Sequence, residues 1–160
     1  MENEPDKILN WRRWDERITL SGQPSEEELD QIARFGVAHV INLGPYDNKG
    51  ALKDEPGTVL ALGMGYTHIP VDFEAPTQVD FDTFCQALGE QPTDPLHVHC
   101  IYNARVSAFF YRYAIEGRGG DVDAAFALMD GIWRPGGTWA TFIGRPEDAD
   151  KPNRYLGYDY

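Results

Sequence analysis

Apolar residues recur along the chain with two periods, one typical of strands and one typical of helices. Residues 37–43 form a β-branched run that fits an interior strand covered on both faces. Shorter runs of this kind occur at 17–21, 66–72 and 95–99. Helical spacing occurs between the runs, so the pattern predicts an α/β fold with a central, mostly parallel sheet flanked by helices.

The predicted helices begin and end at residues with known capping preferences. Ser25 and Glu28 match a capping box, and Gly36 ends the helix that follows. Thr77 precedes a helix whose apolar spacing places Cys85 in the core. Asp121 can cap a later helix, for which we predict an apolar face of Val122, Ala125, Phe126, Leu128, Met129 and Trp133. Further helices are predicted at 56–62, 104–116 and 138–143.

The length and composition are those of one globular domain. The chain has 160 residues, of which 42% are hydrophobic, and its aromatic residues include eight Phe and eight Tyr. That is enough to build one core. We therefore interpret residues 1–160 as a single domain, whose ends at 1–6 and 144–160 either pack on the surface or remain mobile.

The charge and the apolar runs exclude several kinds of partner. A net charge of −12 disfavours nucleic acid, because binding to DNA or RNA depends on neutralising phosphates. No apolar run approaches the length of a membrane span, and the acidic N-terminus lacks the basic and apolar parts of a signal peptide. The two cysteines fit a reducing compartment. We therefore expect a cytoplasmic protein without a membrane or nucleic-acid partner, and the sequence leaves its oligomeric state open.

The residues best suited to chemistry lie where the strand at 95–99 runs into the helix at 104–116. Cys100 and Arg105 would share a tight turn at the start of that helix, where free amides and the helix dipole attract anions and favour a thiolate. We expect this thiolate to be exposed and to be the first group that oxidants attack. A local positive cluster would offset the acidic charge of the chain there: it comprises His97, His99, Arg105 and Arg112.

The pattern His-Cys-x4-Arg-x-Ser at this turn resembles the signature loop of the cysteine-dependent protein tyrosine and dual-specificity phosphatases. Those families usually place five residues between Cys and Arg, whereas this chain places four. The shorter spacing resembles a bacterial branch that includes the phosphatase-like domains of beta-lactamase-hydrolase-like proteins. A Ser-Gly-Gln-Pro segment also recurs in that branch, and here it occupies residues 21–24.

This resemblance implies a phosphatase-like fold and an activity that needs no cofactor and no metal. The expected substrate is a small phosphorylated molecule or a phosphoprotein, hydrolysed through a phosphocysteine on Cys100. Arg105 would hold the phosphoryl group. The remaining contacts to phosphate would come from the loop amides of Ile101, Tyr102, Asn103, Ala104, Arg105 and Val106.

Four neighbouring side chains have supporting roles in this scheme. Asn103 stands where related short loops carry Gly, and Asn is the best substitute at positive φ, although its side chain would then lie at the pocket wall. Tyr102 would stand at the rim. His99 is expected to order the loop through a backbone hydrogen bond, as a His before the signature Cys does in the family. Ser107 either stabilises the departing thiolate or caps the helix.

The sequence offers two candidates for the general acid and a third possibility in which the protein supplies none. Asp72 lies 28 residues before Cys100, at the end of a predicted strand, and is the first candidate. Glu74 is the second, and a reaction without a protein donor is the third. Arg112, on nearly the same helix face as Arg105, is interpreted as a solvated surface residue.

Two other functions fit the same residues. Rhodanese-type sulfurtransferases also have four residues between Cys and Arg, carry a persulfide rather than a phosphate, and need no general acid. A non-catalytic module that only binds anions would explain the missing loop Gly. The sequence leaves these alternatives to phosphatase activity open.

Overall fold

A central five-stranded sheet frames the fold in this computed structural model, which describes residues 3–155. Its strands are β1 (Arg12–Arg13), β2 (Ile18–Ser21), β3 (His39–Asn42), β4 (Gly65–His68) and β5 (Leu96–His99). They run in the order β1-β2-β5-β3-β4, and every pair except β1 with β2 is parallel. β5 is therefore central, and the loop that follows it emerges at the middle of the carboxyl edge of the sheet, where α/β proteins bind ligands.

Six α-helices flank the sheet within the described residues. They are α1 (Glu26–Phe35), α2 (Glu55–Ala61), α3 (Gln78–Glu90), α4 (Ala104–Ile115), α5 (Val122–Ala127) and α6 (Gly137–Phe142). The predicted capping box at Ser25 and the left-handed Gly36 that ends α1 are both confirmed. Cys85 on α3 lies at the margin of the core, partly exposed, and not inside it as predicted. No helix within residues 3–155 has the length and apolar character needed to cross a membrane.

The sheet separates two apolar cores, because side chains along each strand alternate between its faces. In β3, Val40 contacts the core under α1 and α2, whereas Ile41 belongs to the larger core under α3 and α4. The same alternation along β5 places Cys100 with the larger core. His97 and His99 point to the other face, where His97 stacks on an indole and His99 meets α2.

The strand predicted at 66–72 is shorter in the structure. β4 pairs with β3 over Gly65–His68 only. The amides of Ile69 and Val71 donate to the Asn42 and Leu43 carbonyls, so the chain after β4 advances by two residues while the chain after β3 advances by one, and the regular parallel register ends there. The chain therefore bends over the end of β3 and carries Asp72 toward the loop after β5.

The apolar face predicted after Asp121 is wrong in two places. Val122 is exposed, and Trp133 lies beyond α5 in a two-stranded ribbon of β6 (Trp133–Arg134) and β7 (Arg154–Tyr155). The Trp133 indole is fully buried and stacks on Tyr155 at 5.9 Å, which favours the ribbon over a longer helix. The polar end of the chain thus packs on the domain as far as residue 155, while residues 1–2 and 156–160 lie outside the described residues.

Candidate active site

The backbone between β5 and α4 forms a cradle of free amides, which we call the Cys100 loop (residues 100–106). The amides of Ile101 to Val106 donate to no acceptor within residues 3–155. Asn103 makes this possible by adopting φ 74° and ψ 13°, the left-handed conformation predicted for it. Consecutive free amides that lead into a helix N-terminus form a binding geometry for an anion.

Cys100 lies at the base of the Cys100 loop and has no solvent exposure. The expectation of an exposed thiolate is therefore wrong for this conformation. Strand alternation turns Cys100 into the larger core, and the side chain of Ile101 lies against the loop that contains Gly44 and Gly50. With no exposed surface, the thiol is out of reach of a reagent in solution in this conformation.

Arg105 is held beside the loop with part of its guanidinium uncommitted. Its Nε donates to the Val71 carbonyl at 2.9 Å, and its Cζ lies 5.1 Å from the centre of the Phe73 ring. Only 8% of the residue is exposed. The two terminal nitrogens have no acceptor among the described residues, so they form a free fork suited to two oxygens of one anion.

A pocket of about 440 Å³ adjoins this guanidinium. It is lined by Pro45, Asp47, Pro70, Val71, Asp72, Phe73 and Arg105. Asp72, the first candidate for the general acid, thus shares a pocket with Arg105, whereas Glu74 lines a neighbouring pocket that does not include Arg105. Asp47 is a further carboxylate in the pocket that sequence reasoning missed. The available signal was its position in the loop after β3, at the same edge of the sheet.

The Ser-Gly-Gln-Pro segment supports the first residues of the Cys100 loop. The amide of Cys100 reaches the Ser21 carbonyl at 3.4 Å, and the amide of Gln23 donates to the Ile101 carbonyl at 3.0 Å. A Cβ atom on Gly22 would lie only 2.8 Å from that carbonyl oxygen. Because β2 runs parallel to β5, the segment after β2 meets the segment after β5. The sequence resemblance identified this segment only as a family marker, and the structure shows that it contacts the first residues of the Cys100 loop.

His99 joins the loop to a buried carboxylate that sequence reasoning missed. Its Nδ1 donates to the Cys100 carbonyl at 3.0 Å, which confirms the predicted backbone hydrogen bond. Its Nε2 lies 2.6 Å from Oε2 of Glu55, and Oε1 of Glu55 accepts from Nε2 of Gln23 at 2.7 Å. Burial by itself raises the pKa of Glu55, but the hydrogen bonds and charge of His99, together with Gln23, outweigh it and leave this pKa below its ordinary value.

Comparison with known proteins identifies the family. No family profile matches the chain. A candidate phosphatase of the DUF442 family from Shewanella putrefaciens CN-32 is 30% identical and has a TM-score of 0.75. The match covers 85% of this chain and 89% of that chain. The chain belongs to the DUF442 family.

A sequence relative and a structural neighbour outside the DUF442 match also resemble this protein. A beta-lactamase hydrolase-like protein of Xylella fastidiosa is 30% identical over 107 residues, which cover 64% of this chain but 25% of that protein, so the chain spans about a quarter of such relatives. TpbA of P. aeruginosa, solved as a Cys-to-Ser variant in complex with pTyr, is 17% identical with a TM-score of 0.62, and the match covers 81% of this chain and 76% of TpbA. The predicted resemblance to the cysteine-dependent phosphatase fold is confirmed.

The positive cluster predicted for the site from the sequence is only partly present in the structure of this protein. His97 is completely buried between the hydroxyls of Thr19 and Ser21, and burial holds its pKa well below the ordinary value, so it is neutral. Arg112 bonds to Glu116 and lies 4.3 Å from the centre of the Phe81 ring. With 13% of its side chain exposed, it is half-buried rather than solvated, and it contributes to packing of α4. Arg105 and His99 remain at the loop.

The side chains of Asn103 and Ser107 point elsewhere than the sequence predicted. Asn103 is buried, not on a pocket wall, and its Nδ2 donates to the Asn10 carbonyl, while Nδ2 of Asn10 donates to the Tyr102 carbonyl, each at 2.8 Å. The Ser107 hydroxyl donates to the Asn103 carbonyl at 2.6 Å. It therefore neither caps a free amide nor directs its proton at Cys100. The N-terminal segment thus anchors the Cys100 loop, a contact too distant in the chain for the local pattern to reveal.

Proposed function

We propose that this DUF442 protein hydrolyses a phosphomonoester through a phosphocysteine intermediate on Cys100. The observation that carries the proposal is the run of free amides from Ile101 to Val106 that directly follows Cys100 in the chain, together with the free fork of Arg105. Amides and a guanidinium placed in this way bind a phosphoryl group and hold its charge as the reaction proceeds. The DUF442 relative and the phosphatase fold support the same activity.

In this mechanism the thiolate of Cys100 attacks phosphorus as the bond from phosphorus to the leaving oxygen breaks. Asp72 donates its proton to that oxygen and becomes a carboxylate. A water molecule then gives a proton to this carboxylate as its oxygen attacks the phosphocysteine, which breaks the sulfur–phosphorus bond and releases phosphate and the thiolate. Asp72 is the favoured donor because it lines the same pocket as Arg105. Its Oδ1 accepts from the Glu74 amide at 2.9 Å, which leaves Oδ2 for the leaving group.

The surroundings of the pocket favour a substrate with a single anionic group. Asp47 and Asp72 line it, and Arg105 is the cation among its lining residues. A second phosphate on the substrate would therefore face carboxylates and no counter-charge. We propose a small phosphorylated molecule or a phosphoprotein site with few acidic neighbours, in a reducing compartment such as the cytoplasm, where both free cysteines stay reduced.

Sulfur transfer is a second candidate, because Cys100 is buried in an apolar core and the loop has four residues between Cys and Arg. A smaller ring with one amide fewer fits a persulfide at least as well as a phosphate. A module that binds anions without turnover has the same geometry. These three functions differ in their products.

Two assays with a Cys100→Ser control separate the candidates. Hydrolysis of p-nitrophenyl phosphate that is lost in Cys100→Ser supports the proposal. Formation of thiocyanate from thiosulfate and cyanide, without phosphate release, would replace it with sulfur transfer. If neither product forms and inorganic phosphate still raises the melting temperature, the protein is an anion-binding module.

A further inference from the structure

The hydrogen-bond partners of His99 fix its protonation state. Nδ1 faces the Cys100 carbonyl oxygen at 3.0 Å, and a carbonyl can only accept, so Nδ1 carries a proton. Nε2 faces a carboxylate oxygen of Glu55 at 2.6 Å. One proton lies on that second contact, and it belongs either to Glu55 or to His99. In the first case the pair is neutral, and in the second it is an imidazolium with a carboxylate.

The partners of Glu55 favour the charged pair. Its other oxygen accepts from Nε2 of Gln23 at 2.7 Å, and the Tyr66 hydroxyl also faces the carboxylate. Glu55 is only 1% exposed, so these donors replace water around its charge. Despite burial, the pKa of Glu55 lies below its ordinary value because of the hydrogen bond and charge of His99 first, and of the donors Gln23 and Tyr66 after them. Donors to both carboxylate oxygens favour the arrangement in which the proton resides on Nε2 of His99 and Glu55 is ionised.

His97 shows that burial alone does not produce this state. It lies on the same strand and the same face, with its ring centre 6.3 Å from that of His99. Its partners are the hydroxyls of Thr19 and Ser21, which can donate as well as accept, and its other neighbour is the Trp11 ring. A neutral ring satisfies those contacts. Among the described neighbours of this pair, Glu55 on α2 is the carboxylate that contacts His99. His97 on β5 is neutral, burial raises the pKa of Tyr66 on β4, and His68 on β4 contacts the Gly44 carbonyl.

We propose that Glu55 is a positioning residue that keeps His99 as an imidazolium beneath the Cys100 loop, so that the positive ring favours the thiolate of Cys100. His99 is adjacent to Cys100 in the chain and bonds to its carbonyl, so its charge is closer to the loop than the charge of Glu55. Opposite charge near a thiol favours its ionised form. The importance of this thiolate for catalysis rests on the proposed function, but its formation does not.

The direction in which Glu55→Gln changes the thiolate fraction of Cys100 tests the proposal. If His99 were neutral, Glu55→Gln would remove a negative charge near Cys100 and increase the thiolate fraction. If Glu55 holds the imidazolium, the same substitution lets the Gln amide donate to an unprotonated Nε2. The positive charge is then lost together with the negative one, and the thiolate fraction falls.

The experiment is a pH titration of the thiolate absorbance in the ultraviolet, which needs no access of a reagent to the buried thiol. A Cys85→Ala background removes the second cysteine, and Cys100→Ser gives the baseline. We expect Glu55→Gln to move the midpoint upward by about one pH unit, which is about a tenfold loss of thiolate below it. Glu116→Gln is the matched control, because it lies at the far end of α4, about 18 Å along the helix, and we expect it to leave the midpoint unchanged.

A midpoint that falls or does not move in a folded Glu55→Gln protein would overturn the proposal. A second measurement covers the case in which that variant does not fold. In 15N–1H correlation spectra of the unsubstituted protein at neutral pH, both ring nitrogens of His99 should carry protons, and a single protonated nitrogen would also overturn it. Neither readout depends on turnover, so an inactive protein with an intact imidazolium would refute the proposed function alone.

Discussion

Gly22→Ala should impair the Cys100 loop from outside the site. A Cβ atom at this position would lie 2.8 Å from the Ile101 carbonyl oxygen and 2.8 Å from Cδ2 of Leu9. The Leu9 side chain is exposed and can rotate away. The carbonyl oxygen cannot, because it belongs to the loop backbone and accepts from the Gln23 amide. Ordinary contact begins at 3.4 Å, so the loop must shift by the difference, about 0.6 Å.

This displacement sets the size of the expected effect. A misplacement of about 1 Å can lower catalysis by about a hundredfold, so we expect kcat/KM for p-nitrophenyl phosphate to fall by about tenfold in Gly22→Ala. The free energy of unfolding should fall by about 1–3 kcal/mol, as for other overpacked sites. The rise in melting temperature that phosphate produces should shrink as well, since the same amides bind it.

Gly89→Ala is the matched control for this change. Gly89 lies near the end of α3, and a Cβ atom there would meet no atom within 4 Å. The same substitution should leave activity and phosphate binding unchanged and stabilise the helix by up to about 1 kcal/mol. Activity and phosphate binding in Gly22→Ala equal to those in Gly89→Ala would refute the idea that the Ser-Gly-Gln-Pro segment positions the loop.

Three further results are expected. Arg105→Lys should lower kcat/KM by about a hundredfold, because an ammonium cannot replace the free fork, while Arg112→Lys, which alters a packing contact on α4, should retain activity. Asp72→Asn should lower kcat and remove the alkaline limb of the pH–rate profile, and the loss of that limb in Asp47→Asn instead would move the proton donor to Asp47. The pKa of Glu55 is lowered in the folded state, so its ionised form stabilises the fold at pH values above the ordinary Glu pKa of 4.5. This stabilisation is lost as the pH falls through the folded-state pKa. In urea unfolding, the difference in unfolding free energy between wild type and Glu55→Gln should therefore close as the pH falls below the folded-state pKa.

The local pattern of residues was sufficient for much of the fold. The β-branched run of β3, the capping box at Ser25 and the Gly36 that ends α1 act within a few residues, so their effects can be read from the chain alone. The left-handed conformation of Asn103 was predictable for the same reason, because it depends on the residue type and its place in a short loop. The turn between Cys100 and Arg105 could also be predicted from the sequence, because it depends on residues that are close together in the chain.

The groups that support the loop depend on contacts between distant parts of the chain. Glu55 is 44 residues from His99, and no local pattern distinguishes it from the other carboxylates of an acidic protein. The exposed Asp47 reaches the site because the strand order places the loops after β3 and β5 side by side. The half-buried Asn10, which precedes β1, reaches it through hydrogen bonds with Tyr102 and Asn103, more than 90 residues further along the chain. The burial of Cys100 and the neutral state of His97 likewise depend on the residues that pack around them. Burial and hydrogen-bond partners are properties of that packing, so a sequence pattern can name the reactive residues but not the environment that sets their chemistry.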